Sequence, residues 1–444
     1  MFRLTNGWCI GCAAMLLLTS CRFDRTGLEP GDVGSATDVT MDMRPDAQIY
    51  DLGPDLVSGL DLSLVKPPDG VGGDGLSPSY TAANIAPTWW AYGTGDLTVS
   101  ASTTLTIDTS NNSTTPPLPP GVGLYNDYNG TYTILTLHDL KVEHTGTLRG
   151  IGSRPLIIVA GGAVTIDGLV NIAATGKNPG PGGQFGGGRA KAGSGCGGGT
   201  QGELKVLDYD SGGAGASFGG KGGQGGDGPL AKPPCTLGCS EHCVIYCLTP
   251  LRGGSGGGGG GDVVGGEGGA GGGALQISAR DVITVGLKGV INAAGGTGGG
   301  GSGVGGSGAG GGSGGGILLE APTVNVSGTV AANGGGGGGG GAAFLAGKSG
   351  DDGKALGTAA SGGDGANELF GANIGGKGGA GSSTGDGNEN AGNGKTGSGL
   401  EYGQGGGGGG SGRICIRNRS GTVGGTISPR STNLQSVPYA LLPL

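Results

Sequence analysis

Apolar and polar residues alternate with period two where the body of the chain begins, in Leu97-Thr98-Val99-Ser100 and again in Leu105-Thr106-Ile107-Asp108. Strand side chains point alternately to opposite faces, so this alternation predicts short half-buried strands. The pattern then repeats on one template. One copy reads Leu156-Ile157-Ile158-Val159-Ala160, Val164-Thr165-Ile166 and Gly168-Leu169-Val170-Asn171-Ile172-Ala173-Ala174. A second reads Leu275-Gln276-Ile277-Ser278-Ala279, Ile283-Thr284-Val285 and Gly289-Val290-Ile291-Asn292-Ala293-Ala294. A third reads Leu318-Leu319-Glu320-Ala321, Val324-Asn325-Val326 and Gly328-Thr329-Val330-Ala331-Ala332, and looser copies lie around Leu135–Leu148 and Ile414–Ile427.

A unit of two or three such strands cannot bury its apolar side chains alone, whereas stacked units can. Stacking predicts Val164, Ile283 and Val324 in one inward column and Ile166, Val285 and Val326 in the next. Thr165, Thr284 and Asn325 would then face water. The expected fold is all-β, a right-handed parallel β-helix of about six coils whose first coil is 97–108. Trp89 and Trp90 are expected to cap its open end. An antiparallel sandwich is the alternative, but it does not require the same Gly-x-Ile/Val step in every unit.

Composition changes the picture between the repeats. Of 444 residues 118 are Gly, and 90 of those fall between residues 181 and 410. Glycine disfavours helix by about 1 kcal/mol per residue relative to Ala, and no strict Gly triplet with abundant Pro marks collagen. The glycine concentrates in insertions at 175–273, 295–316 and 334–412, each leaving the template after its Ala-Ala step. They therefore emerge from one corner and lie side by side. Strings such as 298–301 and 334–341 suit extended three-residue-per-turn polyglycine helices of polyproline II type, packed closely because nothing protrudes between them.

Charge separates the N-terminal part. Residues 22–78 carry eleven acidic against four basic side chains, out of a net charge of −8, so the remainder is nearly neutral. That excludes the basic footprint expected of a nucleic-acid partner. The acidic stretch reads as a solvated tether. Before it, one basic residue, an apolar run from Trp8 to Leu18 and Leu18-Thr19-Ser20-Cys21 form a secretory signal that matches the bacterial lipobox. The match implies diacylglycerol on Cys21, removal of residues 1–20 and, with Arg22 next, an outer-membrane or cell-surface location. The domain reading is 1–20 signal peptide, 21–78 lipidated cysteine and tether, and 79–174 N-terminal coils. It continues with 175–273 glycine-rich insertion carrying a cysteine knot, 274–333 central coils, 334–412 insertion, and 413–444 last coil and cap.

Six cysteines follow Cys21: Cys196, Cys235, Cys239, Cys243, Cys247 and Cys415. An even number in an oxidising compartment predicts three disulfides, with the pairing left open. Cys415 would lie on the outer face, within reach of Cys196. The run Cys235–Cys247, with His242 inside it, lacks the separated pairs usual for structural zinc. No cofactor is expected. Asp227 and Asp262 are candidate calcium ligands, since Gly222–Asp227 and Gly257–Val264 resemble single calcium-binding nonapeptides without the tandem copies such sites use. Gly347-Lys348-Ser349 satisfies a relaxed phosphate-loop pattern but lacks the strand before it and the helix after it, so no nucleotide is expected.

For an enzyme on this scaffold, the nearest set of acids and bases is His138, Asp139, Lys141, Glu143, His144 and Arg149, which also read as solvated outward positions. With the lipobox, Pro54-Asp55-Leu56, Gly152–Leu156, Gly316–Pro322 and Gly410–Ile414, nearly the whole chain resembles the glycine-rich surface lipoproteins of myxobacteria-like Gram-negative bacteria. The resemblance implies no established activity. The expected role is non-enzymatic: a lipid-anchored structural or adhesive protein meeting extracellular polysaccharide, matrix or other cells. The alternative is a polysaccharide lyase or hydrolase, which would need acids and bases converging in a walled groove.

Overall fold

The computed structural model describes residues 78–203, 210–227, 248–261, 263–303, 305–367, 374–383, 391–398 and 402–429. The signal peptide, Cys21, the tether, Cys235–Cys247 and Asp262 lie outside the described residues. Those described are nearly all strand and string. A short 3-10 turn occupies Pro87–Ala91, and no helix is long and apolar enough to cross a membrane.

Eighteen strands follow in chain order: β1 (Leu97–Val99), β2 (Thr104–Asp108), β3 (Ser113–Thr115), β4 (Gly123–Asn126), β5 (Thr133–Leu137) and β6 (Leu140–Val142). Next come β7 (Thr147–Ile151), β8 (Leu156–Ala160), β9 (Val164–Ile166), β10 (Leu169–Asn171), β11 (Ala274–Ala279) and β12 (Val282–Val285). The series ends with β13 (Val290–Asn292), β14 (Gly316–Glu320), β15 (Thr323–Val326), β16 (Thr329–Ala331), β17 (Arg413–Arg417) and β18 (Thr426–Ser428).

These strands form three sheets, and the chain visits them in rotation. Sheet A is β1-β6-β9-β12-β15, sheet B is β18-β16-β13-β10-β7-β2-β3, and sheet C is β17-β14-β11-β8-β5-β4. Pairing is parallel except where β3 and β4 fold back on β2 and β5. Register follows the template. Val164 pairs with Ile283 and Ile283 with Val324, while Ile166 pairs with Val285 and Val285 with Val326. Asn171, Asn292 and Ala331 stack in the same way on sheet B. All three sheets contribute to one contiguous core, from Leu97 and Leu105 at one end to Ile416 and Ile427 at the other. Leu118, Val122 and Leu124 of the folded-back segment pack against it.

Sheet C differs from the others, and its sequence shows why. In sheet A the middle residue of each strand is exposed or half-exposed, as Thr165 and Thr284 are. Strands β5, β8, β11 and β14 are buried at every position. A strand covered on both faces reads as a continuous apolar run, as Leu156-Ile157-Ile158-Val159-Ala160 does. The cover is a second cluster, in which Tyr132, Phe218, Leu248 and Leu251 lie over Ile134, Ile157, Leu318 and Cys415. Trp89 and Trp90 join this cover and do not cap the end of the stack, which corrects the expectation for them. Their rings meet Tyr92 at 5.0 Å and Tyr80 at 5.8 Å between centroids, so the aromatic residues seal the flank of the sheet.

Between β10 and β11, β13 and β14, and β16 and β17 the chain leaves the sheets as glycine strings. The string 334–341 is buried throughout. Its amides donate in a three-residue rota. Gly334, Gly337 and Gly340 donate to Ser382, Gly379 and Gly376; Gly335, Gly338 and Gly341 donate to Gly312, Ala309 and Gly306; Gly336 and Gly339 donate to Asp351 and Lys348. Its carbonyls accept from three further strings, through Gly409, Gly406 and Gly403, through Gly298 and Gly301, and through Gly363 and Ala366. Six neighbours therefore satisfy one string, which is how a backbone with no side chains can be buried at all. Residues 256–261 follow the same rota, donating in turn to strings at 191–194, 266–269 and 211–214.

Candidate functional site

Parallel stacking brings residues of successive layers to common corners, and two corners carry the acid–base candidates. Before β6, the register of Leu97 with Leu140 sets Asp96 beside Asp139. His138 Nδ1 lies 3.3 Å from Asp96 Oδ1 and 3.5 Å from Asp139 Oδ1. The three ligand atoms lie within 4.8 Å of one another, a set of one imidazole and two carboxylates able to meet a divalent cation. Both carboxylates already have structural work. Asp139 Oδ1 accepts the amide of Ala163 at 2.7 Å, and Asp96 Oδ1 accepts that of Asp139 at 3.2 Å. Asp96 was not picked out from the sequence alone. Aligning Leu97-Thr98-Val99 with Leu140-Lys141-Val142 is the signal that finds it.

After β6 the chain turns the next corner. Lys141 Nζ donates to Glu143 Oε1 at 3.1 Å, and the amide of Ala101 donates to Glu143 Oε2 at 3.2 Å. The lysine, then the amide, hold the Glu143 carboxyl below the usual range. With His144, Asp167, Leu287 and Lys288 these side chains line an open depression of about 320 Å³. Asp139 and Glu143 thus stand at opposite ends of β6. Arg149 is on β7 in sheet B, in register with Thr106 and Asn171, and lines neither place. Among the described residues the six candidates divide between two corners and a third sheet position, and form no single walled cleft.

The other sequence candidates are placed as follows. Cys196 and Cys415 are both disulfide-bonded. Cys415 faces away from the core, as its position between Ile414 and Ile416 predicts, yet is only 1% exposed because Phe218, Leu248 and Leu251 cover it. Asp227 accepts a hydrogen bond from Thr396 Oγ1 at 3.0 Å and belongs to no group of three metal-ligating side chains among the described residues. Gly347-Lys348-Ser349 is no phosphate cradle. The amide of Gly347 donates to Gly301 and that of Lys348 to Asp364, so the loop's donors are committed to neighbouring strings.

The densest polar cluster was not anticipated. Glu320 on β14 is fully buried. Its carboxylate accepts from Arg417, from Gln276 Nε2 at 3.0 Å, from Ser278 Oγ at 2.9 Å and from the amide of Ala83. The Tyr80 hydroxyl lies 2.9 Å from the carbonyls of both Ala279 and Glu320, which share its one proton. Segment 80–84 is thereby fastened to two strands of sheet C, β11 and β14. Burial raises the Glu320 carboxyl above its ordinary value, and Arg417 opposes that rise. No protein-family model matches the chain, and no curated protein or solved structure is significantly similar to it.

Proposed function

We propose that this chain is a lipid-anchored, outer-membrane or cell-surface protein of structural or adhesive role, built as a right-handed parallel β-helix with a polyglycine lobe at its side. The observation that carries the reading is the lobe. Strings whose amides are satisfied by successive neighbours in a three-residue rota form a stiff block with almost no reactive side chain inside it. The in-register rotation of strands among sheets A, B and C around one core supports the helix, and right-handed winding is the general rule for parallel connections. A stiff stack on an acidic tether suits presentation of a surface away from lipid. The separation of Asp139, Glu143 and Arg149 favours this over the lyase or hydrolase reading.

The test uses the full lipidated chain in detergent and on cells. The expected outcome is retention on polysaccharide or matrix with no increase in reducing ends and no shortening of the polymer, and transfer from the membrane to the soluble fraction on Cys21→Ser. Depolymerisation of a bound polysaccharide would overturn the non-enzymatic role. An unchanged membrane fraction for Cys21→Ser would overturn the anchor.

A further inference from the structure

We propose that a polar groove at the edge of the glycine lobe binds an acidic polysaccharide, with Arg189 and Lys177 meeting its carboxylates. The proposal rests on the adhesive reading above and deepens it. The groove holds a cavity of about 460 Å³ where the strings around Gly176, Gly266 and Gly299 pass one another. That lies within the size range of small-ligand sites.

Its floor is bare backbone. A Cβ on Gly299 would come 3.1 Å from the backbone nitrogen and oxygen of Glu267, so the two strings pass too closely there for a side chain between them. Its walls are fixed relative to one another before any ligand arrives. One oxygen of Asp352, Oδ1, accepts the amide of Gly176 at 2.9 Å and that of Thr297 at 2.8 Å, tying the two strings together. A preformed groove spares a ligand the cost of ordering its own site.

The rim supplies the chemistry. Lys177 Nζ pairs with Glu267 at 3.0 Å. Arg189 spends one donor, Nη1, on the carbonyl of Val263 at 3.0 Å, and among the described residues it forms no ion pair. Among the described residues, two cations, Lys177 and Arg189, and one carboxylate, Glu267, line the groove, while the Asp352 carboxylate behind its wall is engaged by the amides of Gly176 and Thr297. A planar guanidinium recognises a carboxylate with paired hydrogen bonds, which a neutral sugar does not offer. The Thr297 and Ser302 hydroxyls donate to backbone carbonyls, at 3.1 Å to Gly298 and 2.6 Å to Val264, leaving their oxygens to accept from sugar hydroxyls.

Beside the groove, Val263 is 72% exposed and Phe344 is 91% exposed. A Cβ on Gly303, next to Ser302, would meet the Phe344 backbone at 3.1 Å, so the string carrying this exposed ring runs alongside Ser302. The C–H face of a sugar ring is a fitting partner for an exposed phenyl group. Charge, hydroxyls and ring together favour a chain of uronate sugars over a neutral glycan.

The probes are alginate oligomers, a linear polyuronate, and a neutral glucan of equal length, each titrated into the full chain. The expected result is salt-sensitive alginate binding that falls about tenfold in Arg189→Ala and more in the double variant Lys177→Ala/Arg189→Ala, with glucan binding weak throughout. Both side chains are exposed, so the thermal midpoint should stay at the parent value, which separates lost contact from lost fold. Alginate binding unchanged in the double variant would overturn the groove while leaving an adhesive role elsewhere on the chain. Equal binding of glucan would overturn the role assigned to charge. Retention of no polysaccharide or matrix at all would overturn the groove and the adhesive function together.

Discussion

Gly338→Ala is expected to destabilise the protein by about 3 kcal/mol or more and to open the glycine lobe to proteolysis before the sheets unfold. The amide of Gly338 donates to Ala309 and its carbonyl accepts from Gly406, while the position a Cβ would take falls on the carbonyl of Gly299, deep inside van der Waals contact. Three strings would have to separate to admit one methyl group. Overpacking of a well-filled core costs about 1–3 kcal/mol and sometimes more, and here the displaced atoms are backbone whose hydrogen bonds must stretch as well. Gly424→Ala is the control, because a Cβ there has no neighbour within 4 Å. That variant is expected to be neutral, or stabilised by up to about 1 kcal/mol through reduced freedom of the unfolded chain. Urea unfolding and limited proteolysis read both effects. A Gly338→Ala protein within about 0.5 kcal/mol of the parent would show that the string is not enclosed by its six neighbours.

Arg417→Ala should cost about 3–5 kcal/mol near neutral pH, since it strips the cation from a fully buried carboxylate. The loss carries a pH signature. Burial already raises Glu320 above its ordinary value, so its contribution to stability is full below the unfolded value of about 4.5 and declines as pH rises through the raised folded value. Removing Arg417 removes the strongest opposing influence and pushes the carboxyl higher still. A protonated Glu320 needs no cation, so the deficit of the variant at neutral pH should shrink at a second, lower pH nearer the ordinary carboxylate value. Unfolding free energies for parent and variant at both pH values measure it, and a deficit that stays constant would show that the carboxylate is not the group left stranded. Exchange of amides in segment 80–84 should quicken in the variant, because Glu320 accepts the amide of Ala83.

How far the sequence reached depends on the range of the physics involved. Period-two alternation and the repeated Val/Ile steps are local, so the inward columns Val164-Ile283-Val324 and Ile166-Val285-Val326 were legible in the sequence. The exit of the strings after each Ala-Ala step was legible for the same reason. Trp89 and Trp90 were misplaced because apolar aromatic residues are equally at home over the end of a stack or over its flank. The choice was made by the outward residues Ile157, Leu318 and Cys415 of sheet C, tens to hundreds of residues away. Asp96 was missed because a lone aspartate carries no signal until the register sets it beside Asp139. The charge partners were harder still. Glu320 and Arg417 are 97 residues apart and meet only because β14 and β17 are neighbours in sheet C.

What the amino-acid order determined by itself was the all-β character, the spacing of the rungs and the places where glycine interrupts them, since each follows from side-chain size and polarity within a few residues. Tertiary structure alone decided which strings touch, which carbonyl each glycine amide finds, which face of the stack is sealed and which groove stays open. The physical reason lies in the glycines. Without side chains one string is locally indistinguishable from another, so partners can be assigned only by the whole set of backbone hydrogen bonds closing together.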